Sequence, residues 1–144
     1  APLPMKFEAG TQNFASAATL KPAIEVANKL NDNKLVENLD SIRDYLLEYF
    51  RKDERIRLYG VPRGTNEEKI PLFSFSVKGV HHEDLALILD KMGVAVRSGQ
   101  MCAEPLMDRF GVTGMLRVSF APYNTLEEAE YFVKCLNKAI DMLL

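Results

Sequence analysis

Apolar positions recur along this chain with two distinct periods. Ala17, Leu20, Ile24, Ala27 and Leu30 keep helical spacing, as do Leu35, Leu39, Ile42, Leu46 and Phe50. Pro22 falls inside the first stripe and predicts a kink or a restart there; Asn31 and Asn33 mark the break between the two helices. A short strand, IRLYG, follows the charged run RKDER, which reads as a solvated face or helix end. VPRGTNEEK reads as a turn-rich loop. Phe73, Phe75 and Val77 then alternate with Ser74, Ser76 and Lys78, the mark of a half-buried strand. HHEDLALILDKMG predicts a helix closed by Gly93, with His81 and His82 at its start. VAVRS predicts a third strand, CAEPLMDRFG a short helix ended by Gly111, and MLRVSFA a fourth strand with Leu116, Val118 and Phe120 on one face. In the final helix Thr125 is the expected cap, Glu127 and Glu128 occupy the first turn, and Leu126, Ala129, Phe132, Val133, Leu136, Ile140 and Leu143 form the buried side.

The predicted order is ααββαβαβα behind an extended arm of residues 1–13. The fold class is α/β of the α+β type: a four-stranded, mostly antiparallel or mixed sheet with helices mainly on one face. Alternation leaves the other face polar, and that face needs water, a ligand or another domain against it.

At 144 residues, 47% hydrophobic and 26% charged, the composition is that of one soluble globular domain. A net charge of −2 with dispersed Lys and Arg excludes the basic stripe of a nucleic-acid binder. No apolar run reaches membrane-spanning length, and the opening APLPMKFEAG does not read as a signal peptide. Cys102 and Cys135 do not make a disulfide framework, which points to the reducing cytoplasm. Cys135 reads as core. The adjacent His81 and His82 cannot share a helix face as a zinc pair would, so no metal site is expected. The chain opens on Ala1 without an initiator methionine, which predicts processing or excision from a longer protein.

The chemistry gathers around Cys102, just ahead of AEPLMDRF. If that segment is a helix, its dipole and free N–H groups favour a thiolate. Arg97 lies opposite Val94 and Val96 in the strand period, and Arg117 opposite Leu116 and Val118. Both arginines therefore project from the polar face, near one cysteine. A pair of guanidinium groups suits a carboxylate.

VAVRSGQMCAEPL resembles the active-cysteine segment of the cysteine desulfurases, class-V members of the fold-type I pyridoxal-phosphate enzymes. Their pattern is Arg, Ser or Thr, Gly, two variable residues that are often histidines, then Cys-Ala. KFEAGTQN resembles the family's Phe-Glu-Ala-Gly-Thr-Pro-Asn segment, VHHEDLALILDKMGVAVRSG the helix and strand leading to the cysteine, and LRVSFAPYNTLEEAEYFVKCL the closing Arg-x-Ser, Tyr-Asn-Thr and final helix. The likeness to the sulfur-mobilisation branch, which includes selenocysteine-lyase-like enzymes, runs from Lys6 almost to the last residue.

The resemblance implies roles. Cys102 matches the nucleophile that takes sulfur from the substrate and holds it as a persulfide. Arg117 matches the arginine that binds the substrate carboxylate, Arg97 a second active-site arginine, and Thr11 a threonine that reaches across a homodimer to the phosphate of pyridoxal 5'-phosphate in the other subunit. The implied function is conversion of L-cysteine to L-alanine and an enzyme persulfide, with sulfur passed to an acceptor protein for iron–sulfur cluster assembly. Alternatives are a selenocysteine lyase, another class-V enzyme, or a free-standing persulfide-relay domain. Gln100 and Met101 replace the frequent histidines. The family's cofactor lysine lies in a Ser-x-His-Lys motif of a large N-terminal domain, and nothing here matches it. Residues 14–144 therefore read as the C-terminal small domain, with 1–13 as its arm and the lysine-bearing domain absent from this chain. The isolated piece is expected to be inactive and to hold no cofactor covalently.

Overall fold

The structure, a computed structural model, describes residues 1–30, 33–60 and 69–144; most of the loop VPRGTNEEK lies outside them. Helices α1 (Phe14–Leu30) and α2 (Asn33–Lys52) lead into strands β1 (Ile56–Tyr59) and β2 (Leu72–Val77). Helix α3 (His82–Lys91), strand β3 (Arg97–Gly99), helix α4 (Glu104–Phe110), strand β4 (Met115–Ser119) and helix α5 (Leu126–Leu143) follow, in the predicted order. The strands form one sheet in the order β1-β2-β4-β3, and every neighbouring pair is antiparallel. The last strand in sequence thus sits inside the sheet, between β2 and the edge strand β3. That edge strand is only three residues long. Val94 and Val96 keep their inward alternation but pack on the core without pairing, so the expected third strand is shorter than VAVRS.

The core follows from the strand alternation. Phe73, Phe75 and Leu116 point to one face and are fully buried against Ile42 and Leu46 of α2, Leu85 and Leu89 of α3 and Leu136 and Ile140 of α5. Burying each such side chain contributes about 1.5–3 kcal/mol. The opposite face is not bare. Helix α4 crosses it and builds a second small core from Tyr59, Met107 and Met115.

Two polar knots set how α5 meets the sheet. Thr125 and Glu128 form a reciprocal capping box: Glu128 N–H donates to Thr125 Oγ1 at 3.3 Å, and Thr125 N–H donates to Glu128 Oε2 at 3.1 Å. Asn124 extends it, accepting from Ala121 N–H at 2.8 Å, while its backbone carbonyl accepts from Asn38 of α2 at 2.7 Å. At the far end Arg55, in the run expected to be a solvated face, cross-links instead. It donates to Asp53 Oδ2 at 2.7 Å, Asn137 Oδ1 at 2.7 Å and Asp141 Oδ1 at 2.9 Å, tying the α2–β1 turn to α5. This guanidinium holds the Asp53 carboxyl below its ordinary range.

The start of α3 is tied down by histidines. His81 caps it, Nδ1 accepting from Glu83 N–H at 3.4 Å, and the His82 ring is buried with His81 stacked on it at 4.4 Å between centroids. Burial first, then the neighbouring His81, lowers the His82 pKa, against the opposing pull of Glu83 and Asp84.

Helix α1 is the exception. It runs unbroken through Pro22, yet none of its residues is buried. Phe14, Leu20, Ile24 and Val26 are 54–72% exposed, so most of its apolar side chains are left uncovered by the described residues. The arm before it holds a 3-10 turn at Met5–Phe7 and is equally exposed.

Two outcomes are expected of the chain by itself. A lone helix of this length is marginal in water, so deleting residues 1–30 should shift the melting midpoint by less than ~2 °C. A larger loss would mean that α1 packs on the domain. Secondly, unfolded His82 binds a proton below its ordinary pKa of about 6.5 while the folded group stays neutral. Stability should therefore fall as pH drops from 7.5 towards 5.5, and His82→Asn should flatten that slope in urea titrations.

Candidate functional site

The strand registers line up one row of side chains across the face that carries α4. Tyr59 of β1 stands opposite Ser74 of β2, Ser74 opposite Arg117 of β4, and Arg117 opposite Arg97 of β3. Side chains directly opposite on antiparallel strands have Cβ atoms about 4.5–5.5 Å apart, and like charges so placed repel. Neither guanidinium forms an ion pair or hydrogen bond among the described residues to offset this. Arg97 is exposed and Arg117 half-buried. Two arginines so paired, with no counter-charge among the described residues, have the geometry to donate together to one carboxylate.

Helix α4 walls a pocket of about 330 Å³ beside Arg117. Met107 and Phe110 line its roof, Ser74, Met115 and Arg117 its floor, and Met101 its rim. Tyr59 is held rigidly at the far side, with the Arg57 guanidinium 4.9 Å from its ring centroid on the same strand and the Phe110 ring 4.9 Å away. Its hydroxyl lies 3.0 Å from Ser76 Oγ. Lys69 also borders the pocket, but its ammonium sits over the Phe73 ring at 5.4 Å, and burial lowers its pKa. Among the described residues no cluster of three or more metal-ligating side chains forms.

Cys102 is exposed, next to this pocket in sequence, between its lining residues Met101 and Ala103. The sequence predicts it at the N-terminal end of the short helix, and α4 begins two residues after it. Ala103 is the N-cap of α4, and α4 has only seven residues, so the thiol precedes the cap. What holds it is a tight turn. Ala103 N–H donates to the Gln100 carbonyl at 2.9 Å, and the two central residues, Met101 and Cys102, have φ of 57° and 59°. Both central residues with positive φ are the signature of a type I′ turn, which favours Asn and Gly. Each non-glycine residue there costs roughly 1–2 kcal/mol. The nucleophile candidate is thus presented at a strained corner between β3 and α4.

Sequence spacing placed Arg97, Arg117 and Cys102 near one another, and the structure puts the two arginines on one rung with Cys102 three residues beyond β3. Thr11 stays in the exposed arm and has no hydrogen bond to that row among the described residues. Tyr59, Ser74 and Met115 were missed as site neighbours. Period two run backwards from Arg117 reaches Met115, but nothing local aligns either with Tyr59 or Ser74.

A four-stranded antiparallel sheet with an arginine pair on one rung, and an exposed thiol three residues past β3, defines an α/β domain. Known proteins narrow this class. The family model for class-V aminotransferases matches residues 1–132. A probable cysteine desulfurase of Vibrio cholerae is 40% identical over 98% of this chain, which covers 34% of that relative. The crystal structure of the cysteine desulfurase CsdA (S-sulfonic acid) from Escherichia coli superposes with a TM-score of 0.83 at 33% identity, covering 98% of this chain and 34% of that one. The apo cysteine desulfurase of Thermococcus onnurineus NA1 gives a TM-score of 0.67 at 34% identity, covering 97% of this chain and 34% of that one. This chain belongs to the class-V aminotransferase family, a family of pyridoxal-phosphate-dependent enzymes. It spans about a third of the length of the curated relatives it matches.

The turn yields a stability prediction. Cys102→Gly should raise the unfolding free energy by about 1 kcal/mol, because glycine adopts φ > 0 without strain. Cys102→Ser should give no such gain. Equal urea midpoints for the two variants would show that the corner is not strained.

Proposed function

We propose that this chain is the C-terminal part of a cysteine desulfurase, supplying the substrate-carboxylate site and the sulfur-accepting thiol to a larger pyridoxal-phosphate enzyme. The observation that carries the reading is the direct pairing of Arg97 with Arg117, unneutralised among the described residues, beside exposed Cys102. A carboxylate bound across the two guanidinium groups removes their repulsion and orients the substrate. The residues present fit the substrate end of such a site. They do not fit covalent anchorage: Lys69 is the lysine bordering the pocket, and its ammonium is turned over Phe73. A lysine-bearing domain ahead of Ala1 completes the site in this reading, with Thr11 of the arm reaching the cofactor phosphate across a homodimer in the cytoplasm.

When bound, the cofactor supplies the electron sink for cleavage beside the substrate's α-carbon. Arg117, half-buried, fixes the carboxylate; Arg97, at the sheet edge, closes on it from the other side. The Cys102 thiolate forms a bond to the substrate sulfur as the carbon–sulfur bond breaks. The electron pair of that bond stays with carbon, which takes up a proton to leave L-alanine, and Cys102 keeps the sulfur as a persulfide. Exposure of the thiol lets a sulfur-acceptor protein reach it, for iron–sulfur cluster assembly.

The test is on the full-length enzyme, with L-cysteine as substrate. Arg117→Ala should raise KM between ten- and a hundredfold, the loss of a charge-assisted hydrogen bond of about 1.5–3 kcal/mol. Cys102→Ala should abolish alanine formation. Full activity of Cys102→Ala would overturn the persulfide route. The 144-residue chain alone, given cofactor, should turn over no L-cysteine; turnover would refute the need for a second domain.

A further inference from the structure

Gly114, the residue just before β4, is buried against the imidazole of His82. A Cβ on Gly114 would stand 2.8 Å from His82 Cε1 and 2.9 Å from Cδ2, and closer still to Nε2. Gly93 and Gly111 have φ of 78° and 69°, but Gly114 is not among the positive-φ glycines. The ring, not the backbone, excludes a side chain here. His82 is itself only 9% exposed, and its Nδ1 is buried without a hydrogen-bond partner among the described residues. An orphaned buried nitrogen costs stability, so the imidazole is not kept for its hydrogen bonding. What it supplies is a flat, rigid wedge between the start of α3 and the start of β4.

The wedge sits at the root of the arginine row. Met115, next after Gly114, pairs with Gly99, and the following rungs are Leu116 with Ser98 and Arg117 with Arg97. These three rungs are all that join β3 to the sheet, since β3 pairs with β4 alone. Helix α3 leads through Gly93 into β3 and, by His82, also touches the start of β4. It is therefore the common support of both arginine-bearing strands.

We propose that His82 is a positioning residue for the anion site: wedged against Gly114, it sets where β4 begins and so holds Arg117 opposite Arg97. The inference rests on the reading of that pair as a carboxylate site. Displacing Gly114 outward shifts the Met115–Gly99 rung and splays the two guanidinium groups. The wedge needs its shape, so filling the hole from the other side should restore it.

The experiment uses the full-length enzyme in four forms: wild type, Gly114→Ala, His82→Ala and the double variant. It reads KM and kcat for L-cysteine and, by calorimetry, the dissociation constant for L-alanine, which presents the carboxylate without the sulfur. Gly114→Ala should raise KM and the alanine dissociation constant about tenfold, equivalent to about 1.4 kcal/mol, with kcat changed far less. His82→Ala, which leaves a hole, should raise both about threefold. In the double variant the methyl group introduced by Gly114→Ala takes the place of the lost ring, and both constants should return close to wild type. A double variant no better than Gly114→Ala overturns the proposal. If Gly114→Ala does not fold, His82→Ala decides: alanine affinity unchanged from wild type overturns it. Arg117→Ala is the control. If that change leaves alanine binding intact, the carboxylate reading itself fails. If it weakens binding while Gly114→Ala does not, only the positioning role fails.

Discussion

Burial of Leu116 and Val118 between β2 and β3, beneath the helices, fixes strand β4, and β4 fixes nearly everything else of interest. Its two-residue period leaves no freedom. With Leu116 and Val118 committed to the core, Met115 and Arg117 must face the other way. Met115 then nucleates the second core with Tyr59 and Met107, which brings α4 down onto the sheet. Arg117 meets Arg97 on the same rung. The like charges of one such rung cost up to about 1 kcal/mol, whereas each buried strand side chain contributes about 1.5–3 kcal/mol. The core wins, and the repulsion is left on the face that carries α4.

Local rules are broken in a few places, and most of those places border this face. The turn at Met101 and Cys102 uses positive φ without glycine. The arginine rung carries like charges, and His82 is buried with a nitrogen that has no partner among the described residues. Elsewhere the chain is locally consistent: the capping box of α5, the tilted ring contacts of Phe50 with Phe73 and Phe75, and the Arg55 cross-link all agree with the fold they stabilise. Conflict concentrated at one surface, supported by consistency around it, is the distribution expected of a functional site. The exposed stripe of α1 belongs to the same pattern, because its apolar residues gain nothing from the domain described.

What could be read from the chain alone was whatever depends on near neighbours. Element order, the inward faces of β2 and β4, the Thr125 cap, the Gly111 stop and the burial of Cys135 all follow from residues a few positions apart. So did the placing of Arg97 and Arg117 on one face of the sheet, and the family resemblance in the motifs. The tertiary structure decided the rest. Register made the arginines direct opposites and added Tyr59 and Ser74 to their row. Packing set α4 on the face expected to be open, and shortened the third strand to the residues that β4 can pair. The positive φ falls on Met101 and Cys102, residues that carry no turn signal, and the exclusion of a side chain at Gly114 by His82 is imposed by a group distant in sequence. Periodicity reports which way a side chain points; only the closed sheet determines what it points at.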